Sequence, residues 1–178
     1  FNELNCFLLI LGNQTLKIFN LKPYQMKYHP INNKLFIKNR AKFTAQMKPK
    51  SIAVFNSNDI FTTGADSTLP FEQHSDILYL SGADQEESIL LLFPDAPYQH
   101  LKEMLFLRET NEHIAVWEGE KLTKERAYEV TGIKTVYWLQ DFEKVLFEMM
   151  THAETIYINT ICFGTFLNFI FNFISRML

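Results

Sequence analysis

The chain has 178 residues, of which 47% are hydrophobic and 21% charged, and its formal net charge at pH 7 is -3. This length allows one domain with a substantial core, and the composition excludes a disordered or fibrous chain. Because the net charge is negative and the basic residues are spread along the sequence, we expect no nucleic-acid partner.

The two ends of the chain differ in composition from its middle. Residues 1–25 begin with Phe1 and contain a short apolar run that lacks the features of a signal peptide. Residues 160–178 are almost wholly apolar, but two asparagines in them weaken the case for a membrane span. We therefore predict one domain over residues 26–159, with an uncertain leader and an apolar tail that could both be non-native. A membrane anchor is the alternative for the tail.

Cysteine usage points to a reducing compartment. The chain has 2 cysteines, Cys6 and Cys162, and neither lies in a metal-binding spacing. We expect free thiols and a cytoplasmic location.

Helix and strand signals alternate along the middle of the chain. Asn33 is placed to cap a helix over residues 34–47. Thr123 is placed to cap a helix that stops at Gly132, and Asp141 to cap another with an apolar stripe. Short apolar runs predict strands at residues 51–55, 77–80, 89–93, 104–107, 135–138 and 155–158.

Strands that are buried on both faces need helices above and below them. The sequence therefore predicts an α/β fold, with a mixed, largely parallel sheet flanked by helices.

The polar residues offer few candidates for catalysis. On a strand, His74 and Asp76 would share a face and could form a base with its orienting carboxylate, although a structural contact is the favoured interpretation. Glu86 and Glu87, with Asp84 nearby, are interpreted as an exposed turn rather than as a metal site. We predict neither a catalytic nor a metal-binding residue in this chain.

Two further residues have open interpretations. Asp66 lies in a polar loop, where an acidic residue commonly forms a turn. Trp117 precedes a glycine turn and could either cover the core or face a partner surface, with core packing favoured.

Three blocks of sequence carry a resemblance to a known family. They are Asn-Arg of residues 39–40 with the strand at 51–55, the polar segment 65–82 ending Gln-His-Ser-Asp-Ile-Leu-Tyr-Leu-Ser-Gly, and Leu-Phe-Leu-Arg followed by Trp-Glu-Gly within 105–119. In order and spacing they resemble the amino-terminal domain of aminopeptidase P, in the creatinase/prolidase-like family. His74 stands where this family usually has Asn, and Ser81 where Thr is common.

The resemblance implies a role in a larger enzyme. In this family a separate domain holds two manganese ions and hydrolyses peptides with proline in second position, so this chain alone is expected to be inactive. The resemblance also implies a homo-oligomer, and Asp66 and Trp117 match positions that shape substrate access. The alternative hypothesis is a stand-alone module that binds peptides or proteins. A third hypothesis is a domain that residues 161–178 tether to a membrane.

Overall fold

The computed structural model describes residues 31–64, 67–110 and 121–159. Five strands form one sheet: β1 Ser51–Asn56, β2 Ile89–Leu92, β3 Glu103–Leu107, β4 Thr135–Trp138 and β5 Thr155–Ile158. The α-helices of these ranges are α1 Lys34–Thr44, α2 Ser75–Ser81, α3 Lys124–Thr131 and α4 Phe142–Met150. Short 3₁₀ turns precede β3, at Gln99–Leu101, and α4, at Leu139–Asp141.

The sheet is mixed and its strand order is β4-β3-β2-β1-β5. The β1–β5 and β3–β4 pairs are parallel, whereas β1–β2 and β2–β3 are antiparallel. The predicted mixed sheet is confirmed, with a smaller parallel share than the sequence suggested. One reason is the short β2–β3 connection, because a parallel pairing there would need a longer crossover.

The sheet buries both of its faces, as the apolar strand sequences predicted. Every residue of β1 and β2 is buried. On one face α4 contributes Phe142, whose ring packs edge-on against Phe106 at 5.1 Å between centroids. On the other face Ile77 of α2 and Ala127 of α3 join the core cluster. Three layers, helix, sheet and helix, follow from this two-sided burial.

The segment predicted as a strand at residues 77–80 is a helix. Ile77 and Leu80 are buried, whereas Leu78 and Tyr79 between them are 40% and 57% exposed. Burial at i and i+3 follows the period of a helix, not the alternation of a strand. The strand prediction was wrong because a run of four apolar residues is too short to distinguish the two periods.

The ends of α2 explain why this segment becomes helical. His74 precedes the helix, and its Nδ1 atom accepts a hydrogen bond from the backbone N–H of Asp76 at 3.2 Å. At the other end Gly82 adopts a left-handed conformation with φ of 73°. A polar cap before the helix and a left-handed glycine after it are common helix boundaries.

The predicted caps of α1 and α4 do not form as expected. Among the described residues Asn33 and Asp141 make no side-chain cap hydrogen bond. The neighbouring Asn32 accepts from the N–H of Lys34 at 3.0 Å, and Asn33 instead donates to the carbonyl of Glu129 at 3.1 Å. At the start of α1, Asn32 thus supplies the local hydrogen bond predicted for Asn33, whose side chain contacts α3 instead, and a single sequence cannot predict that contact.

The predicted boundaries of α3 are confirmed. Thr123 accepts a hydrogen bond from the N–H of Arg126 at 3.2 Å, and Gly132 ends the helix with φ of 72°. Hydrogen bonds from its own backbone N–H and from the Thr123 hydroxyl lower the pKa of Glu125. A carboxylate in the first turn of a helix is also favoured by the helix dipole.

Arg40, a fully buried residue of α1, joins this helix to three other elements. The Arg40 Nε atom donates to Glu103 at 3.0 Å, and Nη1 donates to the carbonyls of Leu80 at 2.9 Å and Thr131 at 3.1 Å. These carbonyls lie at the ends of α2 and α3, where helices leave acceptors without intrahelical donors. Arg40 is therefore part of the core architecture, at the opposite sheet edge from the ends of β1 and β3.

None of the helices found in the three described ranges has the length and apolar character needed to cross a membrane. The apolar tail at residues 160–178 lies outside those ranges.

Candidate functional site

Four strands end at one edge of the sheet, and β2 begins there. Asn56 at the end of β1 pairs with Ile89 at the start of β2, and Ile89 pairs with Phe106 near the end of β3. Beyond them, Leu107 pairs with Trp138 at the end of β4. We call this side of the sheet the exit edge, because the chain leaves β1 and β3 there.

The two residues predicted to shape substrate access follow β1 and β3 in the sequence. Asp66 belongs to the segment after β1, and Trp117 to the segment after β3. Both residues lie outside the described ranges, so their role stays a prediction. What the structure does show is that both segments start from the same edge, on either side of β2.

In the segment after β1, residues 58–63 are hydrogen-bonded to residues 67–72. Thr62 and Thr68 form an isolated antiparallel bridge. Three hydrogen bonds accompany it: Asn58 Nδ2 to Glu72 O at 2.9 Å, Leu69 N to Phe61 O at 2.9 Å, and Thr63 N to Ser67 O at 2.8 Å. The chain on both sides of position 66 is therefore held together.

His74 and Asp76 are not arranged as a catalytic pair. They lie at the start of α2 instead of on a strand, with 3.8 Å between Nδ1 of His74 and Oδ2 of Asp76. The same Nδ1 atom already accepts the capping hydrogen bond of the helix. The favoured structural interpretation of this pair is therefore correct, although the strand on which it was placed is not.

One of the three acidic residues before β2, Glu86, is more buried than the sequence suggested. Glu86 is 9% exposed and forms an ion pair with Lys121, whereas Glu87 lies 3.4 Å from the Nε atom of Arg108. The prediction of an exposed turn is wrong for Glu86, while Asp84 is exposed. A single sequence gives no signal for this partner, because Lys121 is distant along the chain.

At the exit edge, the side-chain amide of Asn159 pairs with the backbone of Asn56 and so joins β5 to β1. Asn159 Nδ2 donates to the Asn56 carbonyl at 3.3 Å, and the Asn56 N–H donates to Asn159 Oδ1 at 3.4 Å. Both side chains are buried. The sequence analysis did not single out either asparagine.

A cavity of about 500 Å³ opens at the exit edge. Most of its lining residues have polar side chains, among them the carboxylates of Asp59, Glu87 and Glu143, although apolar atoms make up the larger part of the lining surface. The remaining lining residues are Asn56, Ser57, Ser88, Ile89, Leu139, Gln140 and Phe142. The three carboxylates suit a ligand that carries a positive charge or several hydrogen-bond donors.

The lining does not suit a metal ion. Over the part of the chain that the structure describes, no three His, Cys, Asp or Glu side chains are grouped closely enough to hold one. We therefore assign no metal-dependent step to the described residues.

Comparisons with known proteins agree with this fold. The chain is 27% identical over 128 residues to the Xaa-Pro aminopeptidase of Escherichia coli (strain K12), covering 71% of this chain and 29% of that protein. It is 29% identical over 122 residues to the Xaa-Pro aminopeptidase of Haemophilus influenzae, covering 68% and 28%. The chain thus spans less than a third of these relatives.

A solved structure shares the fold. The aminopeptidase PepP of Pseudomonas aeruginosa superimposes with a TM-score of 0.75 and 22% identity, covering 83% of this chain and 33% of that one. The model of the family described as "Aminopeptidase P, N-terminal domain" matches residues 36–157, which include β1 to β4 and all of β5 except its last residue. This chain belongs to the aminopeptidase P N-terminal domain family.

Proposed function

We propose that this chain is the amino-terminal, non-catalytic domain of a manganese-dependent Xaa-Pro aminopeptidase, in which it shapes substrate access and contributes oligomer contacts. The match of residues 36–157 to the family model is the observation that carries this proposal. In the proposal, two manganese ions and the hydrolytic chemistry belong to a different domain of the whole protein. In keeping with this, the chain covers 29% of its Escherichia coli relative.

The exit edge supports the role in substrate access. The segments that carry Asp66 and Trp117 leave the sheet at this edge, next to a cavity lined by three carboxylates. A peptide substrate of an aminopeptidase presents a positively charged amino terminus, which acidic side chains attract. We propose that this edge faces the peptide, whose second residue is proline.

Exposed apolar residues support the role in oligomer contacts. On the segment after β1, Ile60, Phe61 and Leu69 are 42%, 65% and 54% exposed. Apolar side chains clustered on one exposed segment are typical of surfaces that contact another protein. We propose that this segment contacts another subunit of a homo-oligomer, and we place the protein in the cytoplasm.

Substitutions at the two predicted residues test the access role. In the whole protein we expect Asp66→Ala and Trp117→Ala to raise KM for an Xaa-Pro peptide by roughly tenfold, the effect of losing about 1.4 kcal/mol of binding, with kcat little changed. The matched control is Tyr98→Ala, which removes an aromatic side chain that is 63% exposed near the opposite sheet edge. Unchanged KM in both variants would contradict the access role.

The alternative function is a stand-alone module that binds peptides or proteins without peptidase activity, and the cavity of about 500 Å³ favours a peptide as its ligand. Calorimetric titration of the 178-residue chain with an Ala-Pro-Ala peptide distinguishes the two functions. Saturable binding by the isolated chain supports the binding module. Absence of heat, together with hydrolysis by the whole protein, supports the enzyme domain.

A further inference from the structure

The turn that leads into β2 contacts the points at which the chain leaves β1 and β3, and the points at which the two following segments return. We define this β2 turn as residues 83–88. Its contacts are with the end of β1, with the return of the following segment, with the end of β3, and with the return of the segment after β3. One short turn is thus shared by the two segments to which the proposed function assigns substrate access.

The first segment is tied to the β2 turn at both of its ends. At the start, the Ser57 N–H donates to the Ser88 carbonyl at 2.8 Å, and the Ser88 N–H donates to Ser57 Oγ at 3.1 Å. At the return, Gln73 Nε2 donates to the carbonyls of Ala83 at 2.9 Å and Gln85 at 2.8 Å. These bonds fix where the segment after β1 begins and where it ends.

The second segment is tied to the same turn through side chains. Arg108, directly after β3, lies 3.4 Å from Glu87. At the return, Lys121 pairs with Glu86, and the N–H of Leu122 donates to Gln85 Oε1 at 2.6 Å. Consecutive residues of the turn therefore contact the chain on both sides of residues 111–120.

The Glu86–Lys121 ion pair is more buried than an ion pair needs to be in order to stabilise the fold. The two side chains are 11% and 12% exposed, whereas Lys50 and Glu154, paired at the other sheet edge, are 62% and 67% exposed. Enclosed ion pairs are often no more stabilising than apolar residues of similar size, because both charges lose hydration. Their geometry is nevertheless specific, since each charge must face the other.

We propose that Gln85 and Glu86 are positioning residues, which fix the point at which the segment after β3 returns by binding Lys121 and Leu122. This inference rests on the proposed function, because it assigns the two residues to the access role of that segment. Neither residue touches the substrate in this proposal. They act through the placement of the segment that follows β3.

Fluorescence of Trp117 tests the proposal in the 178-residue chain itself. The sequence has 2 tryptophans, so Trp138→Phe leaves Trp117 as the single reporter. In that background we compare Glu86→Gln with the double variant Glu86→Met, Lys121→Met, in which the ion pair is replaced by apolar side chains. The matched control is Lys50→Met, Glu154→Met, which removes the exposed pair in the same way.

The two readouts separate positioning from stability. We expect the acrylamide quenching constant of Trp117 to change by about twofold in both Glu86 variants and to stay constant in the control, because local anchoring governs local exposure. This change should persist in the double methionine variant even where its urea midpoint equals that of the parent. An unchanged quenching constant in both Glu86 variants, with a native circular dichroism spectrum, would overturn the proposal.

Hydrolysis by the whole protein is a separate readout. If the whole protein fails to hydrolyse Xaa-Pro peptides while the quenching constant changes as expected, the proposed function fails and the positioning role of Gln85 and Glu86 stands.

Discussion

Among single residues, Arg40 joins more of the fold than its place on the first helix suggested. Its guanidinium group donates to β3 and to the carboxyl-terminal ends of α2 and α3. A guanidinium group is suited to this position because its donors lie in one plane and point in several fixed directions. Its Nη2 atom is buried and finds no acceptor among the described residues. The other hydrogen bonds of the guanidinium group therefore have to offset the free-energy cost of burying this atom.

Replacing this arginine tests its role in the fold. We expect Arg40→Met to lower the free energy of unfolding by about 3–5 kcal/mol, because the Leu80 and Thr131 carbonyls lose a donor and Glu103 loses its partner. Arg126, whose side chain is 68% exposed, provides the matched control, and Arg126→Met should change stability by less than about 0.5 kcal/mol. Urea denaturation followed by circular dichroism measures both values. Equal midpoints for the two variants would show that Arg40 is dispensable.

At the scale of elements, α2 and α3 end in the same way. Each helix ends at a hydroxyl residue followed by a left-handed glycine, Ser81–Gly82 in one case and Thr131–Gly132 in the other. In both, the hydroxyl accepts from the N–H two residues on, at 3.0 Å. Helix α1 packs across both glycines, so a side chain at either position would meet α1.

Alanine substitutions at three glycines should follow the space around them. A Cβ atom at Gly82 would overlap the Phe36 ring, and its φ of 73° is strained for alanine, so we expect Gly82→Ala to cost about 2–4 kcal/mol. At Gly132 the nearest atom is the flexible end of Ile37, at 2.8 Å, and the cost should be smaller. Gly64 has nothing within 4 Å and should tolerate the change. Thermal unfolding of the three variants checks this order, and a Gly64 variant less stable than the Gly82 variant would contradict it.

The elements that were predicted correctly carry local signals of both type and boundary. Strand β1 contains an unbroken apolar run at residues 52–55, and α3 has a threonine cap at one end and a glycine at the other. Helix α2 was predicted as a strand because its four-residue apolar run fits either period, and its cap is a histidine, which is a less familiar capping residue. Local sequence therefore identified most elements but not this one.

The candidate site was less predictable than the elements. Its ion pairs and amide contacts join residues far apart in the chain, such as Glu86 with Lys121 and Asn56 with Asn159. Such contacts depend on the order of strands in the sheet, which periodicity does not specify. The resemblance supplied Asp66 and Trp117, whereas composition and spacing favoured a turn and a core residue for them.

At the scale of the whole molecule, the fold presents one edge of a mixed sheet from which two segments depart. The β2 turn lies between these segments and bonds to both. At the opposite sheet edge, Arg40 joins α1 to the ends of α2 and α3. The molecule thus combines a hydrogen-bonded helical scaffold with a sheet edge from which two segments depart, and we propose that this edge faces a second domain.

We propose that this chain is the non-catalytic part of a larger peptidase. The measurement that tests it most directly is release of the amino-terminal residue from an Ala-Pro-Ala peptide, with Mn²⁺ present, by the complete protein and by the 178-residue chain. We predict hydrolysis by the complete protein, which stops when the metal is chelated, and none by the chain alone. A folded complete protein that leaves the peptide intact, or a chain that hydrolyses it alone, would contradict the claim.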